Sequence, residues 1–331
     1  MGDNQLQKTP QSGLKQLIAP VWPRLRLACW AAGIGAAAGM VPYIAMAEMA
    51  QVLMSSDASD SQVVLAAAVA VAALFVRLAC NLAAGSLAHF ADADLQLHLA
   101  RRISTQLSQV PLGWFADRDL GEIRKAMRDD PAALHHRVAH GYTDLVTVLT
   151  APLVALAYLF WCGWQLALVG LLPAIVGMAL YAVQFRGYRT EMQRYEQGLS
   201  DLNAAAMEYA GGIAVIKTFR QGGQAFSRFQ ASAARFLEHF HGWVSRMTAI
   251  SAVTEVVLSP FFAVVLMLAA GVVMAGQGWI APVEVIPFLI LAPGLTAPFG
   301  ALAFAQRDIM QSDAAADRIA ALLETPRLDA P

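Results

Sequence analysis

Residues 142–185 read YTDLVTVLTAPLVALAYLFWCGWQLALVGLLPAIVGMALYAVQF, a stretch whose one charged side chain is Asp144. A helix that crosses a bilayer needs about 20 mostly apolar residues, so this stretch is long enough for two such helices. The sequence WCGWQ at 161–165 divides it near the middle, and tryptophan favours the interface between membrane and water. The stretch therefore predicts two membrane spans that are joined by a tight turn.

Apolar runs of similar length lie on both sides of this stretch. The predicted spans cover residues 27–54, 63–88, 142–161, 165–185, 247–275 and 282–305. The pattern predicts an all-α membrane protein with six transmembrane helices.

The positive charges alternate with these runs. Nearly all of the 23 lysines and arginines lie before the first run, between the second and third, between the fourth and fifth, or after the sixth, and the exception is Arg77. Because cationic segments are retained in the cytoplasm, we expect both termini and both long loops on the cytoplasmic side.

The composition argues against several other classes of protein. With 57% hydrophobic and 14% charged residues and a mean hydropathy of +0.50, the chain has too few polar residues to clothe a soluble globule. Its net charge of −1 gives no support to nucleic-acid binding.

Cys29, Cys80 and Cys162 lack paired spacing and neighbouring ligands, so we interpret them as small buried residues rather than a disulfide or a metal site. Residues 1–20 carry no signal-peptide pattern and are expected to form a cytoplasmic N-terminal segment.

The two long loops have a composition of their own. Each holds roughly 60 residues rich in Ala, Leu, Gln, Arg and Glu, which favour helix. Helix-breaking residues interrupt them near 111–113 and at Gly211-Gly212. The pattern predicts two helical hairpins that extend the spans far beyond the bilayer, and a docking partner at their tips.

Three short stretches of sequence lie at the tips of the two predicted hairpins and after the sixth run. The first tip reads PLGWFADRDLGE (111–122), the second reads EYAGGIAVIKTFR (208–220), and AAADRIAALLETP (314–326) follows the sixth run. In this order and spacing they resemble the transmembrane domain of ABC transporters with the exporter-type fold. The resemblance covers nearly the whole chain from about residue 20, and its specificity comes from agreement with the six runs and the charge distribution.

The resemblance implies where an ATPase would dock. The tips near 113–121 and 210–219 look like the two coupling helices, which lie across grooves on nucleotide-binding domains. The implied coupling residues are Trp114, Phe115, Asp117, Arg118, Gly211, Gly212, Val215, Ile216, Lys217 and Phe219. Motion passes along such a lever if an apolar side chain such as Phe115 or Ile216 packs into the partner. Ordinary hairpin turns that face water remain the alternative.

The ATPase itself has no counterpart in the sequence. No GxxxxGK[S/T] pattern and no catalytic site are found, so we expect the chain to bind no cofactor or metal, with ATP and Mg²⁺ on a nucleotide-binding domain that was removed or is a separate chain. By the resemblance, residues 21–312 form the transmembrane domain and residues 313–331 begin a linker to that domain. The resemblance also implies a domain-swapped homodimer or heterodimer, in which the fourth and fifth helices cross to a second transmembrane subunit.

Ionisable side chains inside the predicted spans are candidates for the substrate cavity. Arg77, Glu48 and Glu255 lie at membrane depth, where charge is costly and usually faces a cavity or a partner. Arg77 meets an anionic group of the substrate, pairs with one of the two glutamates, or extends its charged end toward the membrane surface. Asn81 lies one turn away on the same face and favours a polar cavity wall.

Two further pairs of residues have structural interpretations. Gly35 and Gly39 form a small-xxx-small pattern that permits close approach of a neighbouring helix. His89 and Asp92, near the inner boundary, either line a vestibule or make an interhelical hydrogen bond.

The sixth run suggests a substrate class. PGLTAPF (293–299) looks like the corresponding stretch of bacterial siderophore-uptake half-transporters. The sequence thus leads us to expect an ATP-driven permease of the bacterial inner membrane that moves a small amphipathic substrate by alternating access. Ferric siderophore uptake is the leading hypothesis, and export of a lipid, peptide or drug is the alternative. An ion-coupled secondary transporter or a non-transporting scaffold is the alternative from another class.

Overall fold

The computed structural model describes residues 11–54, 59–116, 120–214, 218 and 222–328. The α-helices are α1 (Gln11–Ile18), α2 (Trp22–Met54), α3 (Asp60–Ser108), α4 (Leu112–Ala116), α5 (Leu120–Arg124), α6 (Asp130–Ala133), α7 (Tyr142–Cys162), α8 (Trp164–Phe185), α9 (Tyr188–Gly211), α10 (Gly222–Val257), α11 (Pro260–Gly276) and α12 (Ile286–Leu323). Lys125–Asp129 and Arg137–Gly141 are π-helical, and Pro282–Val285 is a 3₁₀ turn. The residues that the structure describes contain no strand, and the predicted all-α class is confirmed.

Several of these helices are long and apolar enough to cross a membrane. They are α2, α3, the segment Gly121–Cys162 and the residues Trp164–Gln184. The pair Phe229–Val257 and Pro260–Gly276 adds a fifth span if it is counted as one, and Pro282–Thr296 is a shorter apolar helix. The chain is therefore a multi-pass membrane protein, and the count of six spans stays a prediction.

The predicted fifth span is interrupted at Leu258 and Ser259, between α10 and α11. Pro260 has no backbone N–H, and its ring disfavours helical geometry in the residue before it. The Ser259 hydroxyl accepts a hydrogen bond from the Phe262 backbone N–H at 3.1 Å and so caps the new helix. Pro260, which lies inside the run 247–275 that was predicted as one span, is thus the first residue of a separate helix.

The helix pair α2 and α3 shows the predicted close approach. A Cβ atom added to Gly35 would lie 2.8 Å from Oδ1 of Asn81 and 3.1 Å from Cβ of Cys80, and one added to Gly39 would lie 3.0 Å from Cδ of Arg77. The two glycines therefore form a slot in α2 that α3 fills with its polar side chains. The prediction from the small-xxx-small pattern is confirmed.

The chain divides into two compact units, residues 1–170 with 263–331, and residues 171–262. The first unit has two apolar cores. One core joins the C-terminal half of α3 to α1 and to the C-terminal part of α12, through residues such as Leu17, Leu99 and Ile319. The other joins α7 to α11 and to the N-terminal part of α12, through Leu159, Met267 and Phe288 among others.

Both ends of the chain contribute to the first of these cores. Helix α1 buries Leu14, Leu17 and Ile18, so the segment that was predicted only as a cytoplasmic N-terminus contains an amphipathic helix. Helix α12 runs through the predicted boundary at 312/313 without a break and buries Ala315 and Ile319.

The second unit contains the hairpin of α9 and α10. Gly187 has a φ of 77°, a left-handed conformation that favours glycine, and it separates α8 from α9. The predicted hairpin leg thus begins as a new helix rather than as a continuation of the span. Gln184 Nε2 donates to Oγ of Ser251 at 2.7 Å, which joins the C-terminal end of α8 to α10 near this point.

Candidate transport and coupling site

The first hairpin tip is the short helix α4. Its Trp114 packs against the apolar core built around Leu99 and Ile319, and its ring meets the Phe115 ring edge-on with 5.1 Å between centroids. Trp114 and Phe115 are both half-buried, whereas Leu112 is 86% exposed. Of the described apolar side chains in this helix, Leu112 is the one most available to a partner. The predicted coupling residues Asp117 and Arg118 lie outside the described residues.

An ion pair joins the segment that follows this tip to α12. Nη2 of Arg318 donates to Oδ1 of Asp130 at 2.6 Å, and Nε donates to Oδ2 at 3.1 Å. The Asp130 side chain is 5% exposed. The hydrogen bond to this carboxylate raises the pKa of Arg318, so the guanidinium stays charged at physiological pH. The C-terminal part of α12 is thereby fixed to the segment that follows the first tip.

The second tip lies at the end of α9. Gly211 is exposed, and a Cβ atom added to it would meet no atom within 4 Å. Its backbone does not have a positive φ, so no described part of this chain requires glycine there. Gly212 is half-buried and caps α9. The predicted coupling residues Val215, Ile216, Lys217 and Phe219 lie outside the described residues.

Aromatic rings join the two legs of the hairpin behind this tip. Tyr195 on α9 lies 5.5 Å from the Phe236 ring and 5.6 Å from the Phe240 ring, measured between centroids. Phe236 and Phe240 are stacked with an interplanar angle of 5° and centroids 5.8 Å apart. Trp243 continues the row, 6.0 Å from Tyr195. Such ring pairs contribute about 0.5–1.5 kcal/mol each beyond their burial, so the row of rings stabilises the packing of α9 against α10.

Arg77 and Asn81 lie side by side in the α2–α3 slot. Both side chains are exposed, and the guanidinium of Arg77 lies across the backbone of Gly39. Within its own unit, no described residue forms an ion pair with Arg77. The predicted pairing with Glu48 is therefore not found, and Arg77 presents an uncompensated positive charge at the depth of a membrane span.

The two candidate glutamates have different surroundings. Oε1 of Glu48 accepts a hydrogen bond from the Tyr158 hydroxyl at 2.7 Å, which links α2 to α7. Glu255 is exposed on α10 in the second unit. Glu48 thus belongs to a structural contact between two helices of the first unit.

Histidine and aspartate side chains form a cluster that includes the candidates His89 and Asp92. Asp92 is buried and accepts a hydrogen bond from Nδ1 of His135 at 2.6 Å, the interhelical bond that was one of its two interpretations. The His89 ring lies 5.0 Å from His140 and 5.8 Å from His135. Among the described residues no three His, Cys, Asp or Glu side chains are arranged to hold a metal ion. The three cysteines are free and half-buried.

A polar anchor at the end of α12 gave no signal in the sequence. Nε2 of Gln106, which is buried, donates to the Thr325 carbonyl oxygen at 2.7 Å, and Oε1 of the same side chain accepts from Nε of Arg327 at 2.9 Å. The Leu328 backbone N–H donates to the Gln109 carbonyl oxygen at 2.7 Å. The segment after α12 is thereby held against the C-terminal end of α3, beside the first tip.

The comparison with protein families decides the kind of site that these tips and spans form. The model of the ABC transporter transmembrane region matches residues 27–299. The chain belongs to this family. The contacts of its two hairpin tips with an ATPase remain a proposal.

Three curated relatives of this ABC membrane domain carry the same name, mycobactin import ATP-binding/permease protein IrtA. The protein of Mycolicibacterium smegmatis is 28% identical over 313 residues, which cover 95% of this chain and 36% of the relative. Those of Mycolicibacterium thermoresistibile and Mycobacterium tuberculosis are each 28% identical, over 291 and 280 residues, which cover 87% and 83% of this chain and 32% of each relative. The chain spans about a third of the length of these relatives.

Proposed function

We propose that this ABC membrane domain is the permease part of an ATP-driven importer of ferric siderophores in the bacterial inner membrane. The observation that carries the proposal is the similarity of up to 95% of the chain to relatives named as mycobactin import proteins. Those relatives are ATP-binding/permease proteins, so a nucleotide-binding domain, fused or separate, is the partner that supplies ATP and Mg²⁺.

The proposed pathway uses the uncompensated charge of Arg77. Arginine holds carboxylate and related anionic groups with a planar set of donors, and Asn81 beside it offers both a donor and an acceptor. The surrounding faces of α2 and α3 are apolar and exposed, as at Phe75 and Leu78. A small amphipathic molecule that carries anionic groups fits this combination of a polar slot with apolar walls.

The proposed coupling uses the two tips. Leu112 at the first tip enters a groove of the nucleotide-binding domain, and the open backbone around Gly211 admits a close approach at the second. Movement of the domain then passes along α3 and the aromatic hairpin to the spans. The ion pair of Arg318 with Asp130 makes the C-terminal part of α12 move with the first tip.

A second transmembrane subunit completes the proposed pathway. The compact second unit, residues 171–262, contains the hairpin that the family resemblance assigns to a crossing into the partner. The assembly is proposed to be a homodimer or heterodimer with both termini of each subunit in the cytoplasm, in line with the distribution of lysine and arginine.

The test is transport in proteoliposomes. The chain, fused to or co-expressed with a nucleotide-binding domain, is reconstituted, and the ATP-dependent movement of a radiolabelled ferric siderophore is measured with ATP supplied on one side at a time. Accumulation on the side where ATP is hydrolysed supports import. Movement away from that side contradicts import and supports the exporter alternative.

A variant separates the substrate site from the coupling machinery. We expect Arg77→Gln to raise the KM for the siderophore at least tenfold, because one charge-assisted hydrogen bond to a ligand contributes roughly 1.5–3 kcal/mol, and to leave basal ATP hydrolysis unchanged. Arg26→Gln removes an exposed arginine from the same helix pair and is the matched control. An unchanged KM in Arg77→Gln would remove this residue from the pathway while the family assignment stands.

A further inference from the structure

A basic pocket lies at the C-terminal end of α3, away from the proposed pathway. It has a volume of about 280 Å³ and is lined by His98, Arg101, Arg102, Thr105, Leu323 and Arg327. None of the described residues that line it is acidic. Three arginines and a histidine therefore meet around one small cavity.

Among the described residues, no acidic side chain pairs with the arginines of this pocket. Arg101 and Arg102 lie three and four residues after His98 on α3, and none of these three side chains forms a hydrogen bond or ion pair with another described residue of this unit. The positive charges of the three arginines that line this cavity repel one another. A bound anion removes that repulsion, so the arrangement favours anion binding.

Arg327 is fixed at the pocket by a buried residue. Its Nε donates to Oε1 of Gln106 at 2.9 Å, and Gln106, which is 1% exposed, also holds the Thr325 carbonyl oxygen. This bond uses Nε and leaves the two terminal nitrogens of the guanidinium without a described partner. A buried side chain thus fixes the position of the third arginine of the pocket.

We propose that this pocket binds a small, water-soluble, phosphate-bearing anion. Guanidinium groups match phosphate with paired hydrogen bonds, and the volume is just below the roughly 300–1,000 Å³ of ligand pockets for drug-sized molecules, which suits a ligand of the size of phosphate or pyrophosphate. Arg101 lies about 60 Å along α3 from Asp60 at 1.5 Å per residue. A bilayer with its headgroups is about 40–45 Å thick, so a soluble anion is favoured over a lipid headgroup.

The site also connects to the moving parts of the molecule. A ligand there would bridge α3, which leads to the first tip, and the segment after α12. We infer that it stabilises this attachment and so adjusts how the ATPase is coupled. Anion binding at this pocket does not depend on which substrate the protein transports.

The test is calorimetric titration of the purified full chain in nanodiscs of neutral lipid, with pyrophosphate as the probe. We expect saturable binding that weakens with added salt, and at least tenfold weaker binding in each of Arg102→Gln and Arg327→Gln. Arg26→Gln is the control and is expected to bind as the wild type does. Gln106→Met keeps every charge of the pocket but frees Arg327, and is expected to weaken binding severalfold.

Several outcomes would overturn the proposal. They are the absence of saturable binding, equal loss in Arg26→Gln, or affinity that is indifferent to Arg327. If Arg102→Gln fails to fold, Arg102→Lys keeps the charge and loses the paired donors, and unchanged affinity in that variant also contradicts the site. The titration is repeated in nanodiscs that contain anionic lipid. If that lipid abolishes pyrophosphate binding, a lipid headgroup occupies the pocket, and the assignment of a soluble anion is wrong.

Discussion

Arg318 and Asp130 form a two-pronged ion pair across the first unit, with Nη2 of Arg318 2.6 Å from Oδ1 of Asp130 and Nε 3.1 Å from Oδ2. Asp130 follows the first hairpin tip, and Arg318 lies near the end of α12. The carboxylate is almost fully buried while 45% of the Arg318 side chain is exposed. The pair therefore joins two parts of the chain that have to move together if the tip transmits force.

Loss of the arginine is expected to destabilise the protein. Arg318→Met leaves the buried carboxylate of Asp130 without its partner, and because breaking a buried pair costs about 3–5 kcal/mol and this one is half-exposed on one side, we expect about 1–3 kcal/mol. The measurement is denaturant unfolding in detergent. The double variant Asp130→Leu with Arg318→Met removes both charges and should recover much of the loss. Equal stability of the wild type and Arg318→Met would show that the pair is not structural.

The two apolar side chains of the first tip are expected to differ in effect. Leu112→Ser changes a side chain that is 86% exposed and should alter the free energy of unfolding by less than about 0.5 kcal/mol, while it lowers substrate-stimulated ATP hydrolysis severalfold. Trp114→Ala removes a ring that packs on the core, and we expect a loss of about 2 kcal/mol or more. Thermal unfolding and ATPase assays of the two variants separate docking from stability, and a stable, fully coupled Leu112→Ser protein would contradict the assigned contact.

Gly211 offers a test of close approach by the partner. Because a Cβ atom at this position meets no atom of this chain within 4 Å, Gly211→Ala is expected to stabilise α9 by up to about 1 kcal/mol. If the nucleotide-binding domain approaches the backbone here, the same variant weakens its association, which is measured by co-purification or by titration of the isolated domain. A more stable α9 together with unchanged association of the nucleotide-binding domain would exclude Gly211 from the interface.

The slot between α2 and α3 predicts a specific steric effect. A valine at Gly39 has to displace the Arg77 side chain, whose Cδ would lie 3.0 Å from the new Cβ, and overpacking of this kind costs about 1–3 kcal/mol. Gly39→Val should also raise the KM for the substrate, since Arg77 is moved. Gly85→Val is the control, because a Cβ atom at Gly85 meets nothing within 4 Å. Equal behaviour of the two variants in unfolding and transport would refute the slot.

Much of the fold could be predicted because it is local. The turn at Gly163 lies where the apolar stretch 142–185 was divided, and α3 continues as one helix from its span to Ser108. Hydropathy and helix propensity act on neighbouring residues, so they can be read along the chain. The break of the predicted fifth span at Ser259 is local too, since Pro260 follows directly, but the run 247–275 was predicted as one uninterrupted span.

The candidate site was predicted less completely. The tips were located, but the more exposed side chain of the first tip is Leu112 rather than Phe115, since Phe115 packs beside Trp114. The membrane depth of Arg77 was predicted, whereas its position over Gly39 was not. Which side of a short helix faces the core depends on what it packs against, and that partner is distant in sequence.

The sequence by itself determined the class of this protein: apolar spans, helical hairpins and the motifs of an ABC membrane domain, because each is set by the order of residues within a segment. The tertiary structure alone decided that Arg318 pairs with Asp130, that Gln106 positions Arg327, and that Arg101, Arg102 and His98 share a pocket with it. These relationships join residues that are distant in the sequence. The two hydrogen-bonded pairs exist because burial removes water from Asp130 and from Gln106 and leaves the arginine that folding brings close as the partner.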